Sequence, residues 1–424
     1  MIRTLLLGAA AAALSAAASA QTFAVRNGTV WTGTEAGSFQ NGVVVIEDGE
    51  IAAVGDASTA IPDDATVIDA DGGWVTPGVI AAYSQIGIVE VGAEDSTDDR
   101  SAAMSLYSAA LDAAEGFNPS ATTIPVSRIE GVTRVVVSPS PATTVFAGAG
   151  FVADTSGAPD SITKPDAFMR VYLGEGGAAV AGGSRPAAWA QLRAGLADAR
   201  TFPARFLAHN EGDALTRVDA QALGPAARGQ QLLLISAHRA SDLRAIIAFQ
   251  EDNSSLDIAI VGADEGWMVA EELAEAGIPV IINPTSNLPS SFSNLASTLE
   301  NAARLIEAGV ATAFAYRDDD SHQARLTLQA AGLAVANGVE HDDALAAITR
   351  VPAEIFDLDG LGVLEDGAVG DVVVWDGDPL EVTSSPTAVL INGELQSLES
   401  RQTRLRDRYS SLERSDRPFA YRKP

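Results

Sequence analysis

The sequence predicts an α/β fold, in which a (β/α)8 barrel of the TIM type is joined to a small β-sandwich built from both ends of the chain. Strand-like and helix-like runs alternate through residues 76–349, and roughly 250 residues are typical of an eight-fold barrel. Short β-like runs lie on both sides of this stretch. No glycine-rich phosphate loop follows an early strand, which makes a doubly wound open sheet the second choice.

The flanking segments predict one composite β domain. Residues 21–75 carry alternating apolar runs separated by Asn-Gly and Asp-Gly pairs, which are typical of tight hairpins. Residues 371–376 and 387–395 have the same texture, and the second run contains a further Asn-Gly pair. Since strands need a partner sheet to bury their apolar face, we expect residues 21–75 and 350–397 to close into one β-sandwich domain.

The first twenty residues predict a cleavable secretory signal. Arg3 precedes an alanine-rich apolar run at residues 5–18, and the triplet Ala-Ser-Ala at 18–20 closes it, as at a signal-peptidase site. The run is short for a membrane span, which needs roughly 20 strongly apolar residues. We therefore expect residues 1–20 to be removed and the mature protein to be exported, to the periplasm or the medium, without a membrane span.

Composition excludes several functional classes. The formal net charge is −29, which disfavours nucleic acid or an anionic membrane surface as the main partner, because both are negatively charged. The absence of cysteine excludes disulfide scaffolds, thiol catalysis and cysteine-ligated metals. The tail, residues 398–424, is basic instead. We expect a solvated terminal helix lying against the acidic body, with a partner-docking arm as the alternative.

One segment predicts where chemistry takes place. Residues 74–87 (WVTPGVIAAYSQIG) read as the first barrel strand, and active sites in such barrels lie at the C-terminal ends of strands. Together with NGTVWTG, IEDGEIAAVG, GVTRVVVSP and LGVLEDGAVGDVVVWDGDPL, this segment resembles the amidohydrolase superfamily, particularly its imidazolonepropionase-like branch. The resemblance covers nearly all of the mature chain and implies a metal-dependent hydrolase of carbon–nitrogen bonds other than peptide bonds.

The first strand departs from the family pattern. The family carries His-x-His there, and residues i and i+2 of a strand point to the same face, so that two imidazoles converge on one cation. In this chain those positions hold Tyr83 and Gln85, and the preceding family Asp is Ala81. A phenol and a carboxamide are poor zinc ligands beside histidine. We therefore expect Tyr83 and Gln85 to line a binding pocket as hydrogen-bonding groups.

The resemblance also implies the other ligand positions. The family's metal-bridging Lys or Glu of strand four matches Glu175, its strand-five histidine matches His238, and its strand-six histidine matches Gly262, which has no side chain. Its strand-eight aspartate, which binds metal and takes the proton from the attacking water, matches Asp318, with Asp319 as a register alternative. Glu175, His238 and Asp318 could hold at most one ion of zinc, iron or manganese.

Plainer interpretations stand beside these assignments. Instead of binding metal, His238 would be a hydrogen-bonded pocket residue, and Asp318 would be a loop carboxylate in an acidic run. His209, His322 and His341 lie beside acidic residues and are expected at the solvated surface.

Two other chemistries lack their motifs. No Gly-x-Ser-x-Gly elbow occurs between a strand and a helix, which leaves a Ser-His-Asp hydrolase without its nucleophile. The glycine-rich run at residues 147–151 (AGAGF) lacks the Lys-Ser/Thr continuation of a phosphate loop and is predicted to be a turn.

Three functional hypotheses follow. The first is an exported, catalytically weakened or non-catalytic member whose barrel mouth binds a small peptide-like or cyclic amide, or which supports an intact homologous hydrolase as a subunit. The second is an active hydrolase using one divalent metal on Glu175, His238 and Asp318, with Asp318 as general base. The third is a scaffold that acts through the basic tail. The substrate is not indicated, because specificity in this fold lies in loops.

Overall fold

The computed structural model describes residues 21–204, 214–316 and 323–410. The expected signal segment, the end of the basic tail, and the residues His209, Asp318, Asp319 and His322 lie outside these ranges. None of the helices within them combines the length and the apolar character that a membrane crossing requires.

The N-terminal segment forms five strands of a β-rich domain. They are β1 (Phe23–Trp31), β2 (Ser38–Glu47), β3 (Glu50–Gly55), β4 (Thr66–Asp69) and β5 (Trp74–Pro77). The hairpins β1–β2 and β2–β3 are antiparallel, and β1 pairs in parallel with β4 and β5. The predicted Asp-Gly turn is confirmed, since Asp48 has a positive φ angle between β2 and β3, which short polar side chains tolerate at turns. The prediction of a turn at Asn27 is wrong, because this residue lies inside β1, where the register with β2 shifts.

Eight strands of the described chain then form the barrel, and their order around the sheet follows the order of the sequence. They are β6 (Val79–Ser84), β7 (Val132–Val137), β8 (Phe146–Asp154), β9 (Ile162–Tyr172), β10 (Leu232–Ala237), β11 (Ile258–Gly262), β12 (Val280–Ile282) and β13 (Thr312–Phe314). The predicted barrel is thus confirmed, with one difference. Strand β8 runs antiparallel to both of its neighbours, whereas the other neighbouring pairs are parallel.

The prediction of a turn at residues 147–151 is wrong, since these residues lie within β8. At Gly148 a Cβ atom would collide with the carbonyl oxygen of Leu111, and at Gly150 with the ring of Phe168. Glycine is therefore present because other parts of the chain approach the strand closely, a cause that the local sequence does not reveal.

The remaining gap in the barrel lies between β13 and β6. The amide of Phe314 donates to the carbonyl of Ala347 (2.9 Å) and that of Ile80 to the carbonyl of Ile348 (2.8 Å), so a short segment closes the ring. Every strand sends an apolar side chain into the interior: Ile80, Val136, Val152, Phe168, Leu234, Val261, Ile281 and Ala313.

Helices and short 3-10 turns connect the strands and cover the barrel. The α-helices are α1 (Thr123–Arg128), α2 (Gly174–Val180), α3 (Arg185–Thr201), α4 (Arg217–Ala222), α5 (Gly224–Ala227), α6 (Ala240–Asp252), α7 (Ala270–Ala276), α8 (Asn301–Glu307), α9 (Thr327–Val335), α10 (His341–Ala346), α11 (Arg350–Ile355) and α12 (Arg401–Ser410). Helix α12, in the predicted basic tail, has no buried residue.

The C-terminal strands β14 (Val372–Trp375), β15 (Pro386–Ile391) and β16 (Glu394–Leu395) join the N-terminal sheet, where β14 pairs with β5. This confirms the β-rich domain formed by both ends of the chain. Alternate residues of β14 serve two cores, because neighbouring side chains of a strand point to opposite faces. Val372 and Val374 pack inside the β-rich domain, whereas Val373 and Trp375 pack against the barrel.

A buried ion pair also joins the two domains. Arg134 of β7 is 2% exposed and donates from Nε and Nη2 to the two carboxylate oxygens of Asp371, at 2.7 and 2.8 Å. Its Nη2 also donates to Oδ1 of Asn392 (2.5 Å), in the turn between β15 and β16. Two parallel bonds to a carboxylate are the strongest arrangement open to arginine, so this contact fixes the domains against each other.

The first prediction concerns this ion pair. Asp371→Asn should lower the free energy of unfolding by about 3–5 kcal/mol, because it leaves the buried guanidinium without its carboxylate. Removing both charges together, as Arg134→Met with Asp371→Leu, should cost less. Urea denaturation followed by circular dichroism measures the loss.

The matched control is the exposed pair of Arg350 and Glu354 on α11. There Glu354→Gln should change the free energy of unfolding by less than about 1 kcal/mol. Equal losses for Asp371→Asn and Glu354→Gln would contradict the role of the buried pair.

Candidate functional site

The C-terminal ends of β6, β9, β10 and β11 lie at one end of the barrel, here called the barrel mouth. Tyr83 is near the end of β6, His238 follows β10 directly, and Gly262 ends β11. Glu175 differs from the prediction of a strand end, because β9 stops at Tyr172 and Glu175 lies in the first turn of α2. The chain leaves the strand at Gly174, whose φ of +62° suits glycine.

Tyr83 points into the barrel and is 2% exposed. Its hydroxyl lies 3.2 Å from that of Tyr172, and the guanidinium carbon of Arg170 lies 5.2 Å from its ring centre and 4.2 Å from the ring centre of Tyr172. Burial raises the pKa of the Tyr83 phenol well above its ordinary value, although the charge of Arg170 acts in the opposite direction. In this arrangement Tyr83 is therefore a neutral phenol whose hydroxyl is engaged with Tyr172.

Gln85 is fully buried, and both ends of its amide are bound within the protein. Its Nε2 donates to the hydroxyl of Ser140 (2.7 Å), and its Oε1 accepts from Nη1 of Arg100 (3.2 Å). The two family histidine positions of strand one thus hold side chains whose polar atoms bond to other protein groups.

His238 is held by a carboxylate that the sequence comparison missed. Its Nδ1 lies 3.1 Å from Oδ2 of Asp264, which also accepts from Nδ2 of Asn294 (3.1 Å). Asp264 stands two residues beyond Gly262, just past the end of β11. An acidic residue just after a barrel strand lies where active sites of this fold are found, and this could have identified Asp264 from the sequence.

Gly262 makes room for this imidazole. A Cβ atom at Gly262 would lie 2.5 Å from Cε1 and 2.7 Å from Nδ1 of His238, and the φ of +110° is one that L side chains rarely adopt. The family's strand-six imidazole is therefore incompatible with the present position of the His238 ring. The absence of a side chain at Gly262 and the orientation of His238 are linked.

Glu175 is exposed and ionised. Its Oε2 accepts from the hydroxyl of Ser293 (2.8 Å). That hydrogen bond holds the pKa of Glu175 below its ordinary value, with smaller contributions from Ser291, Arg185 and His238. A Cβ atom at Gly174 would lie 3.8 Å from the Cα atom of Ala237, so Glu175 and His238, which follow these two residues, lie in the same part of the barrel mouth.

These side chains do not fit the family's two-metal centre. Among the described residues, no three His, Asp or Glu side chains are grouped so as to hold a metal ion, and Asp318 lies outside the described ranges. A divalent ion about 5 Å from the Arg170 guanidinium would be repelled by about 7 kcal/mol at an effective dielectric constant near 20. The crevice between Tyr83, Gly262 and Asp264 has room for about one water molecule.

The second prediction tests the packing of Gly262 against His238. Gly262→Ala should lower the free energy of unfolding by about 2 kcal/mol more than Gly183→Ala, because the new methyl group overlaps the imidazole. Gly183 is the control, since it has a similar positive φ (+99°) but nothing within 4 Å of an added Cβ. Urea denaturation of both variants measures the difference, and equal losses would show that the ring does not depend on glycine.

Comparison with known proteins agrees with this architecture. The chain is 24% identical over 420 residues to amidohydrolase tasK of Hapsidospora irregularis, covering 88% of this chain but 43% of that protein. The chain thus spans less than half the length of that curated relative.

Solved structures show the same fold. An amidohydrolase from Thermotoga maritima MSB8 aligns with a TM-score of 0.79 and 25% identity, over 88% of this chain and 99% of that chain. Molinate hydrolase aligns with a TM-score of 0.55 and 17% identity, over 90% and 95% of the two chains.

A sequence model of the amidohydrolase family matches residues 130–400, which include the barrel from β7 onwards and the C-terminal strands of the β-rich domain. Because this match covers more than half of the chain, the protein belongs to the amidohydrolase superfamily.

Proposed function

We propose that this protein is an exported, non-catalytic or catalytically weakened amidohydrolase whose barrel mouth serves as a binding site for a small amide-like ligand. One observation carries the proposal. Tyr83 and Gln85 occupy the two strand-one histidine positions, and their polar atoms are engaged with Tyr172, Ser140 and Arg100. Since a catalytic divalent ion needs about three protein ligands and an open water position, the family's metal chemistry lacks its usual support.

The accessible groups of the mouth suit an amide. The ionised carboxylate of Glu175 accepts from an amide N–H, and the partly exposed Tyr172 and His238 are placed to donate to a carbonyl. A small cyclic or peptide-like amide offers both groups on one edge. Export to the periplasm or the medium belongs to the proposal and rests on the signal-like residues 1–20.

A second candidate is an active hydrolase of carbon–nitrogen bonds other than peptide bonds, with one zinc, iron or manganese ion on Glu175, His238 and Asp318 and with Asp318 as general base. The contact between His238 and Asp264 favours it, because metal-binding histidines commonly donate the N–H of their other nitrogen to a carboxylate.

A third form of the proposal makes the protein a subunit that supports an intact homologous hydrolase. In that form the ligand at the barrel mouth is replaced by a protein partner.

The third prediction separates the first two candidates by metal content. The mature chain, purified without a His-tag or chelator, should contain zinc, iron and manganese far below one ion per chain in elemental analysis. It should also not hydrolyse a panel of cyclic and N-acyl amides. One ion per chain together with amide hydrolysis would overturn the non-catalytic proposal in favour of the mononuclear hydrolase.

A matched pair of variants assigns any ion that is found. His238→Ala should abolish metal binding by the proposed ligand set, whereas His341→Ala should not. His341 is a suitable control because its side chain is similarly exposed, at 31% against 29%, and is also bonded to a carboxylate, that of Asp378. Metal that survives His238→Ala would exclude Glu175, His238 and Asp318 as its site.

The fourth prediction tests the binding site. A panel of hydantoins, lactams and N-acetylamino acid amides, screened by thermal shift, should include ligands that raise the melting temperature. For these, Glu175→Gln should weaken binding about ten-fold, as expected for losing a hydrogen bond to a charged acceptor. Isothermal titration calorimetry measures the change.

Glu251→Gln is the control for that variant, because Glu251 is also exposed but lies at the far end of α6. The Glu251→Gln variant should bind the same amides with the affinity of the wild type. A panel without any binder, or equal effects of the two substitutions, would contradict an amide site at Glu175.

A further inference from the structure

Arg170 is the least expected side chain of the barrel mouth. It belongs to β9, and residues 168, 170 and 172 of this strand point into the barrel. Arg170 is 0% exposed. A guanidinium remains protonated in proteins, so the barrel contains a permanent positive charge that solvent does not reach.

No carboxylate of the described residues pairs with this charge. Nη1 donates to the carbonyl of Leu234 (3.0 Å), Nη2 lies 3.5 Å from the hydroxyl of Tyr83, and Nε is buried without a partner. The rings of Tyr83 and Tyr172 present their faces to the guanidinium, which is a favourable contact for a cation. Dipoles and aromatic faces therefore stabilise the charge but leave it uncompensated.

The carboxylates at the mouth are directed elsewhere. Glu175 bonds to Ser293, and Asp264 bonds to His238 and Asn294. The contrast with the second large buried arginine is clear, because Arg134 has two bonds to Asp371 and lies near Asp154. Among the residues that the structure describes, Arg170 thus carries a buried charge at the floor of the barrel mouth that no carboxylate pairs with.

We infer that Arg170 is the residue that excludes divalent metal ions from this barrel, its guanidinium taking the electrostatic place of the metal. This inference deepens the proposed function and rests on it. A metal bound at the Tyr83 position would lie close to the guanidinium, and two neutral imidazoles would not screen one cation from the other. Histidines alone would therefore not recreate a metal site while Arg170 remains.

The test introduces histidines at the two family positions, once with the charge of Arg170 present and once with it removed. The two-histidine variant, Tyr83→His with Gln85→His, should bind zinc no more tightly than the wild type. Adding Arg170→Met should tighten zinc binding by at least about 100-fold, because the opposing charge is gone. Zinc chloride is the probe, in competition with a chromophoric chelator.

Two results would overturn the inference. One is zinc binding by the two-histidine variant that Arg170→Met does not tighten, including the case in which neither variant binds. The other is zinc binding by the two-histidine variant that is much tighter than that of the wild type while Arg170 is present, because the guanidinium would then not exclude the ion. Circular dichroism in the near ultraviolet checks the fold of each variant, and Arg170→Gln replaces Arg170→Met if the latter does not fold.

The same samples distinguish this inference from the proposed function. Metal content of the wild-type chain tests whether the natural protein is metal-free. The difference in zinc affinity between the two-histidine variants with Arg170 and with Arg170→Met tests whether the guanidinium weakens metal binding. A metal-free wild type whose two-histidine variant binds zinc tightly with Arg170 present would preserve the proposed function and overturn the inference.

Discussion

A buried guanidinium that cannot lose its proton sets the conditions for the whole barrel mouth. Burying an ion without a counter-ion is costly unless every available dipole is turned towards it. Around Arg170 these dipoles are the carbonyl of Leu234, the hydroxyl of Tyr83 and two aromatic faces. Tyr83 offers both a ring face and an oxygen lone pair, so its side chain contacts the guanidinium of Arg170 in two ways.

Arg134 and Arg170, the two most deeply buried arginines of the described residues, show how one residue type serves two purposes. Arg134 lies on β7 and faces the β-rich domain, where Asp371 and Asn392 satisfy it and hold both domains together. Arg170 lies on β9 and faces the interior, where no described carboxylate meets it. Removing one partner of the pair between Arg134 and Asp371 would destabilise the fold. The second arginine concentrates positive charge inside the barrel, close to the ends of β6 and β9.

The architecture could largely be predicted because its signals are local or ordered along the chain. Alternating apolar runs mark the strands of the β-rich domain, and the alternation of strands and helices marks the barrel. The prediction of a turn at residues 147–151 failed because its glycines are required by contacts with Leu111 and Phe168, which are remote in sequence. The shift of Glu175 from a strand end into α2 follows from a single left-handed residue, Gly174, which the pattern of apolar residues does not register.

The site was harder to predict than the fold. Tyr83, Gln85, His238 and Gly262 were located from a resemblance in sequence, and the structure describes all four. Arg170 and Tyr172 stood in the same strand as the residues being compared, yet an arginine in a strand ordinarily indicates an exposed face. What buries it is Tyr83, 87 residues away along the chain. Asp264 was missed for a related reason, because its partner His238 lies on the preceding strand.

The departures from the family pattern are coupled, and this bears on whether the site could regain a metal. Gly262 lacks a side chain where the ring of His238 lies, and Tyr83 supplies the oxygen and ring face that Arg170 needs. Residues in direct contact do not act additively. An imidazole at position 262 meets the ring of His238, and one at position 83 meets an unneutralised cation. Reversal of either change alone therefore creates a clash or a repulsion together with the new imidazole, so these side chains of the barrel mouth depend on one another.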